Sequence, residues 1–377
     1  MLTVDLVRTR ADLGVFLAFP RQIHGSDPAW VAPLEAWVRH RLSPKNPFLR
    51  EATLRLYVAR RDGAVVGTIS SLRDPKHEAG RGEPVGFFGF FECGDDIEVA
   101  RGLLAQAEAD VRGWGLAVLR GPRNLTRVEE VGVTVEGFDV PPPMLASHHG
   151  RWQAPLFEAL GFEKHHDHHA YDVPLYDAAG QPRPLPQRLI DRAAETVIPG
   201  LVIRPIRWRS IRQDLGLAHT VFVDAFRGVP DNVPMPRAQF VNLVALVLVL
   251  TGTKMMQLAL VEGKPAGFAI CVPELNEAIV AANGRLWPLG WARLLRAMPG
   301  IRTASFKLLG VMPEHRQSGL HAKLIAASIE GIRAAGYRRL EASLIDERNG
   351  PMRHVVESAG MTIYKRYRVF ERAVAPG

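Results

Sequence analysis

Apolar positions along this chain recur in two alternating patterns. Short strand-like runs are separated by segments with an apolar residue every three to four positions, the spacing of one helix face. In the second half, Leu201 to Ile206 reads as a strand and Ser210 to Phe226 as a helix. A break at Gly228-Val-Pro-Asp-Asn-Val-Pro-Met-Pro precedes a helix, Arg237 to Leu250, that is apolar nearly all round. Strands follow at Met256 to Val261 and Ala266 to Val272, joined by the turn Glu262-Gly263-Lys264-Pro265. Ala304 to Leu309 is another strand, and Leu320, Leu324, Ile325, Ile329 and Ile332 mark one helix face. Strands at Arg339 to Ile345 and Thr362 to Glu371, with a short helical segment before Gly360, close the unit.

The first half has the same order. Strands are expected at Val4 to Arg8, Leu54 to Ala59, Ala64 to Ser71, Val85 to Phe91 and Leu116 to Arg120. Helices are expected at Arg10 to Ile23, Glu98 to Trp114 and Trp152 to Leu160, with helical pieces between Asp27 and Glu51. Repetition of one mixed α/β unit predicts an internal duplication: residues 1–176, a proline-rich linker with a short helix over 177–199, and residues 200–377.

Composition narrows the class. Of 377 residues, 47% are hydrophobic and 23% charged, as in a folded soluble protein. Cys93 and Cys271 offer neither a disulfide framework nor zinc spacing. Met1-Leu-Thr-Val-Asp-Leu-Val leads straight into a strand pattern, which reads as no signal peptide and a cytoplasmic protein. The net charge of +8 favours an anionic partner. Seven Lys or Arg and a single acid, Glu314, lie between Arg285 and Lys323. No nucleic-acid module accompanies them, which leaves a phosphorylated small molecule or an acidic membrane. Leu286-Trp-Pro-Leu-Gly-Trp-Ala-Arg-Leu-Leu-Arg-Ala-Met298 within that stretch has the composition of an interfacial helix.

The basic, glycine-containing turn Val311-Met-Pro-Glu-His-Arg-Gln-Ser-Gly-Leu-His-Ala-Lys-Leu324 sits between a strand and a helix. The first N–H groups of a helix lack partners and favour an anion, and Arg316 adds a charge. This turn resembles the pyrophosphate loop of the GNAT N-acyltransferases. Arg316, Gln317, Ser318, Gly319 and Leu320 match it, while His321 stands where a small residue is usual and Ala322 comes one place late. The resemblance implies that acyl-CoA is held by Leu309, Val311, Met312, Arg316 to Ala322, Asn349 and Met352. Val356 stands where the family often has an acidic Tyr; Tyr364 and Tyr367 are substitutes. At the matching place the first half has Glu92-Cys93-Gly94-Asp95-Asp96, whose carboxylates would repel phosphates.

N-acylation needs a base for the amine proton. The second half has no carboxylate on the strand before its loop, so the base is expected from the first half. Glu92, Glu129 and Glu130 lead as base or amine-recognition residues, followed by His148 and His149. Asp96, Arg120, Asn124 and Tyr364 are substrate-binding candidates, with helix capping the plainer role for Asp96. His165-His166-Asp167-His168-His169 lacks a further spaced ligand, so it reads as a solvent-edge strand with no metal expected.

The combination Asp27-Pro-x-Trp-Val-x-Pro-Leu34, Asn46-Pro-Phe48, Gly89-Phe-Phe-Glu92, Arg120-Gly-Pro-x-Asn124, Glu129-Glu130, Gly137-Phe-Asp139 and Tyr364-Lys-x-Tyr-Arg368 spans almost the whole chain. It resembles the bacterial GNAT-like proteins that include the bacterial ceramide synthases. Ser147-His148-His149-Gly150 departs from the His-Asn-Pro-type sequence of those relatives. The resemblance implies two tandem GNAT-like domains and transfer of an acyl group from acyl-CoA to a sphingoid base; the amphipathic Leu286–Met298 segment adds an expected peripheral contact with an anionic membrane. Acetylation of a small soluble amine and non-catalytic binding of acyl-CoA or lipid are the competing readings.

Overall fold

The computed structural model describes residues 1–375 apart from 228, 230–234, 242, 243, 245–247 and 249–251. The expected break at residues 228–236 lies mostly outside the described residues, as does part of the expected helix over 237–250. Residues 237–241, 244 and 248 are helical, and Phe240, Val244 and Leu248 are buried.

In the first half, β1 (Leu2–Leu6) leads to α1 (Arg10–His24) and α2 (Glu35–Arg41). Then come β2 (Thr53–Arg61), β3 (Ala64–Arg73), α3 (Pro75–Arg81), β4 (Val85–Cys93), α4 (Ile97–Gly113), β5 (Val118–Gly121), β6 (Val133–Glu136), α5 (Gln153–Ala159) and β7 (Glu163–Pro174). After α6 (Gln187–Glu195) the second half repeats the order with β8 (Leu201–Pro205), α7 (Ile211–Ala225), β9 (Met256–Val261), β10 (Lys264–Pro273), α8 (Asn276–Ala282) and α9 (Gly290–Ala297). It ends with β11 (Thr303–Val311), α10 (Leu320–Ala334), β12 (Arg339–Asp346), α11 (Gly350–Ser358) and β13 (Thr362–Ala373).

Local chemistry accounts for most boundaries. Thr9 and Asp12 cap the start of α1 reciprocally. The apolar spacing of α4 buries Val99, Leu103, Leu104, Ala107 and Val111 against the first half's sheet. Each of the larger of these side chains contributes roughly 1.5–3 kcal/mol of burial. The helix α3 and the short strand β6 have no counterpart among the expected elements.

Among the described residues all strands join one sheet, in the order β1-β2-β3-β4-β5-β13-β7-β12-β11-β10-β9-β8, with β6 also on β13. The two halves exchange their last strands. The first half's β7 lies between β13 and β12, with His168 opposite Asp346 and Pro174 opposite Arg339. The second half's β13 pairs with β5, Phe370 facing Gly121. This overturns the solvent-edge expectation for His165–His169. The exchange puts β7 in the sheet interior, and His166, Asp167, His168 and His169 are all buried.

Candidate active site

Strands β11 and β12 pair in parallel only from Thr303–Arg339 to Phe306–Ala342. Beyond that point Leu344, at φ 54, turns β12 away. The edge of β11 from Lys307 to Val311 therefore faces an opening instead of a partner strand. A cavity of about 690 Å³ fills the gap. Leu309, Val311, Arg316, His321, Asn349 and Met352 line it, and its inner end is apolar, with Phe222, Phe240, Val244, Met256 and Ile270.

The basic turn lies at its outer end. Gly319, at φ 85, begins α10 with no side chain of its own to cap it; Ser318 Oγ accepts from the Leu320 N–H at 3.3 Å and the Gly319 carbonyl from Ala322 at 2.9 Å, so the His321 N–H is the one left for an anion among the described residues. Leu320 and Ala322 point into the core. Ser318 bonds the carbonyl of His315, and Asn349 caps α11 by accepting from the Met352 N–H. The interdomain helix braces the turn, since Arg192 donates to the Gln317 carbonyl at 2.9 Å. A β-carbon on Gly319 would meet Thr196 Oγ1 at 2.0 Å. Gly319→Ala is therefore expected to raise the KM for a CoA-bearing substrate by about tenfold or more, because left-handed backbone alone costs roughly 1–2 kcal/mol without glycine. An unchanged KM would remove this turn from the binding site.

The equivalent place in the first half is closed by its own chain. Strands β4 and β5 also part after three residue pairs, but Asn124 Oδ1 fills the gap and accepts from the Phe90 N–H at 2.6 Å. A β-carbon on Gly89 would strike the Arg123 carbonyl at 2.2 Å, so only glycine permits this approach. At the start of α4, the Asp96 carboxylate accepts from the Glu98 and Val99 N–H groups and pairs with Arg61. A side-chain anion occupies the position that is left open in front of α10.

A second cavity, of about 720 Å³, lies on this sealed half. Phe16, Trp30, Trp37, Phe90 and Phe91 contribute from the first half, and Leu275, Ile279 and Leu294 from the second. Glu92, Asn124, Glu130, His148 and His149 supply its polar wall. The end of α1 delivers His24, whose Nε2 lies 2.7 Å from Glu92 Oε2. Gln153 Nε2 reaches the same oxygen at 3.4 Å, and Glu92 Oε1 has no partner among the described residues. Burial works against the charged form of His24, but the neighbouring Glu92 outweighs it and the pKa is raised above 6.5.

A second imidazole–carboxylate pair stands beside the first. His148 Nε2 is 2.7 Å from Asp27 Oδ2, and the rings of His24 and His148 are 6.1 Å apart. Burial lowers the His148 pKa despite Asp27. Burial also pushes His149 well below 6.5. The Thr134 N–H donates to His149 Nδ1, so the neutral ring carries its proton on Nε2.

The partition between the cavities is Met144–Leu145, which lines both. A buried network holds it. The Met144 N–H donates to Glu274 at 2.8 Å, and Lys307 donates to the Met144 carbonyl at 2.9 Å. Ser305 Oγ lies 2.5 Å from Glu274 and 2.7 Å from Glu341. Burial raises the Glu274 pKa above the ordinary carboxylate value, against the lowering by the neighbouring Lys307. Upstream, Lys365 Nζ ties down the Gly137 and Val140 carbonyls of the turn before Met144, and burial lowers its pKa to about 8.

Several predicted residues are engaged by neighbouring side chains. Glu129 and Glu130 are both held by the buried Arg41, at 3.2 and 2.9 Å, and Glu129 also accepts from Thr126. Glu130 reaches the second cavity, and Glu129 does not line it. Arg120 pairs with Glu83 and Glu371, and Tyr364 packs with Ala146 and Tyr367; both lie outside the two cavities, as does Asp96. His24 escapes sequence reasoning because it reads as the last turn of an amphipathic helix. The available signal is its position three residues before the Asp27-Pro motif.

Burial of β7 brings His166, His168 and Asp346 together on one face and Asp167, His169 and Glu347 on the other. Arg348 already holds Asp346 through both carboxylate oxygens, and Arg368 and Lys164 hold Asp167.

No family model matches the chain. It is 32% identical to Protein YghO of Escherichia coli over 378 residues, covering 98% of this chain and 95% of that protein. It is 33% identical to the bacterial ceramide synthase of Caulobacter vibrioides over 383 residues, covering 99% and 98%. Among solved structures, the fold matches a tandem GNAT protein from the clavulanic acid biosynthesis pathway, with a TM-score of 0.59, 16% identity and full coverage of both chains. It also matches a GCN5-related N-acetyltransferase from Sphaerobacter thermophilus, with a TM-score of 0.55, 15% identity and coverage of 100% and 96%.

Proposed function

The chain belongs to the tandem GNAT acyltransferase family that includes bacterial ceramide synthase, and from that premise we propose that it transfers a long acyl chain from acyl-CoA to a long-chain lipid base. The observation that carries this reading is a pair of large, mostly apolar cavities that share Met144 and Leu145 in their walls. One begins at a basic turn at the start of a helix. The other has an oriented carboxylate in its wall.

The start of α10 and Arg316 receive the CoA pyrophosphate. The unpaired edge of β11 offers N–H groups to the pantetheine and to the thioester oxygen as charge develops there. Phe222, Phe240 and Met256 line the space for the acyl chain. In the other cavity Glu92 takes a proton from the amine, with His24 holding the carboxylate. The amine nitrogen then bonds to the thioester carbon, the carbon–sulfur bond breaks, and the proton passes to the departing thiolate. Attack is direct: Cys93 and Cys271 are buried, and burial pushes both thiols up, so neither is an activated nucleophile.

An acceptor of this kind resides in membranes. Among the described residues no helix is long and apolar enough to cross one.

The test supplies sphinganine with either palmitoyl-CoA or acetyl-CoA and follows CoA release together with the amide by mass spectrometry. Amide from palmitoyl-CoA alone is expected. Turnover of acetyl-CoA alone would assign the protein to small-acyl transfer, and release from neither, with binding intact, would make it a binding protein.

A further inference from the structure

The hairpin of α8 and α9 carries a surface that the acyl-transfer chemistry does not use. Trp287 is 83% exposed, Leu289 60%, Trp291 50% and Leu295 56%. Trp291 and Leu295 are four residues apart on α9 and project from one side of it, and Trp287 and Leu289 lie in the turn just before. The opposite side of α9 is anchored by the buried Gly290 and Leu294. Four large apolar side chains so close together, each at least half exposed, are not the scattered apolar positions of an ordinary protein surface.

Charge and position identify what covers this surface. Arg285, Arg293 and Arg296 are exposed around it, and no Asp or Glu occurs from residue 284 to 302. Trp and Leu with a rim of Arg suit the headgroup boundary of an anionic bilayer, where indole sits at the interface and guanidinium meets phosphate. The same hairpin forms one lip of the second cavity. Gly284, Arg285, Leu286 and Leu294 line that cavity, while their neighbours Trp287 and Leu295 face outward. Across the mouth, Arg21 of α1 bonds the Asn283 side chain at 2.8 Å and its carbonyl at 2.6 Å. The lip is therefore fixed to the rest of the site and is not a loose appendage.

We propose that α9 and the preceding Trp287–Leu289 segment seat the protein on an anionic membrane, with the mouth of the second cavity against the bilayer, so that the amine slides from the lipid into the cavity without crossing water. This rests on the reading that the acceptor is a lipid amine.

The experiment uses the full chain and two variants, Trp287→Ala/Trp291→Ala/Leu295→Ala and Arg293→Glu/Arg296→Glu; none of these residues lines either cavity. Co-sedimentation is measured with vesicles of phosphatidylcholine alone or mixed with phosphatidylglycerol, with no substrate present. Turnover of long-chain amine is measured separately in detergent micelles and in vesicles. The parent protein is expected to prefer the anionic vesicles. The triple variant should lose about tenfold or more in vesicle partitioning and in vesicle turnover while keeping its micelle turnover. The charge variant should lose the anionic preference, since each basic residue near such a surface is worth about a factor of five.

Equal sedimentation of parent and triple variant would overturn the proposal. So would a parent that self-associates, binds no vesicles and becomes monomeric in the triple variant, because the surface would then seat a second copy. Vesicle binding without any amide formation would leave the docking surface standing and remove the lipid-amine reading instead.

Discussion

Glu92→Gln is expected to lower kcat by about 10²–10⁴-fold, the usual contribution of a positioned general base, with the fold intact. The substitution keeps the shape of the side chain and removes the group that accepts a proton. It also separates Glu92 from Glu129 and Glu130, whose carboxylates are taken by Arg41. The pH profile distinguishes a base from a structural residue. Glu92 and His24 share one hydrogen bond, so the charge on the imidazole governs how readily the carboxylate accepts a proton. While the imidazolium is present the pair is neutral overall and a poor acceptor. Once that proton leaves, the pair is negative and can take the amine's proton. Because the His24 pKa is raised above 6.5, kcat at saturating amine should climb with pH through a value above 6.5. In Glu92→Gln the group that raises the His24 pKa is gone while burial remains, so the residual limb should move to lower pH. A Glu92→Gln enzyme within about tenfold of the parent, with an unmoved profile, would refute the assignment.

Dividing the chain between Pro199 and Gly200 should abolish folding of both pieces when they are made separately and restore it when they are made together. The exchange of β7 and β13 is the reason. A piece ending at residue 199 keeps β5 but lacks β13, and it carries a β7 whose two partners, β12 and β13, are both absent. The complementary piece loses the strand between β12 and β13. It would expose buried Tyr367, Val369 and Phe370 together with three unpaired strand edges, both of β13 and one of β12, an arrangement prone to aggregation. Size exclusion and circular dichroism provide the readout. A monomeric second piece that unfolds cooperatively on its own would show that the exchanged strand is dispensable.

The repeated order of strands and helices was legible because each element carries its own periodicity. The basic turn was legible because its chemistry lies within a few consecutive residues. The exchange was not, since pairing of Phe370 with Gly121 depends on contacts between distant segments that leave no local pattern. The same limit hid the site. Glu92 is recognisable as an acid ending an aromatic strand, yet its partner His24 lies 68 residues earlier. Glu129 and Glu130 look equally suitable until Arg41, on a different helix, accounts for their charge. Asp96 reads both as a substrate contact and as a helix cap, and the free N–H groups at the start of α4 decide for the cap.

The partition at Met144–Leu145 bears on the fate of the product. On the proposed reading each substrate arrives through its own mouth, and the amide would join them across the partition with one hydrocarbon tail in each chamber. Such a molecule is threaded through the protein and cannot withdraw by either entrance alone. Departure therefore calls for the clamp of Glu274 and Lys307 on the Met144 backbone to loosen once the amide has formed.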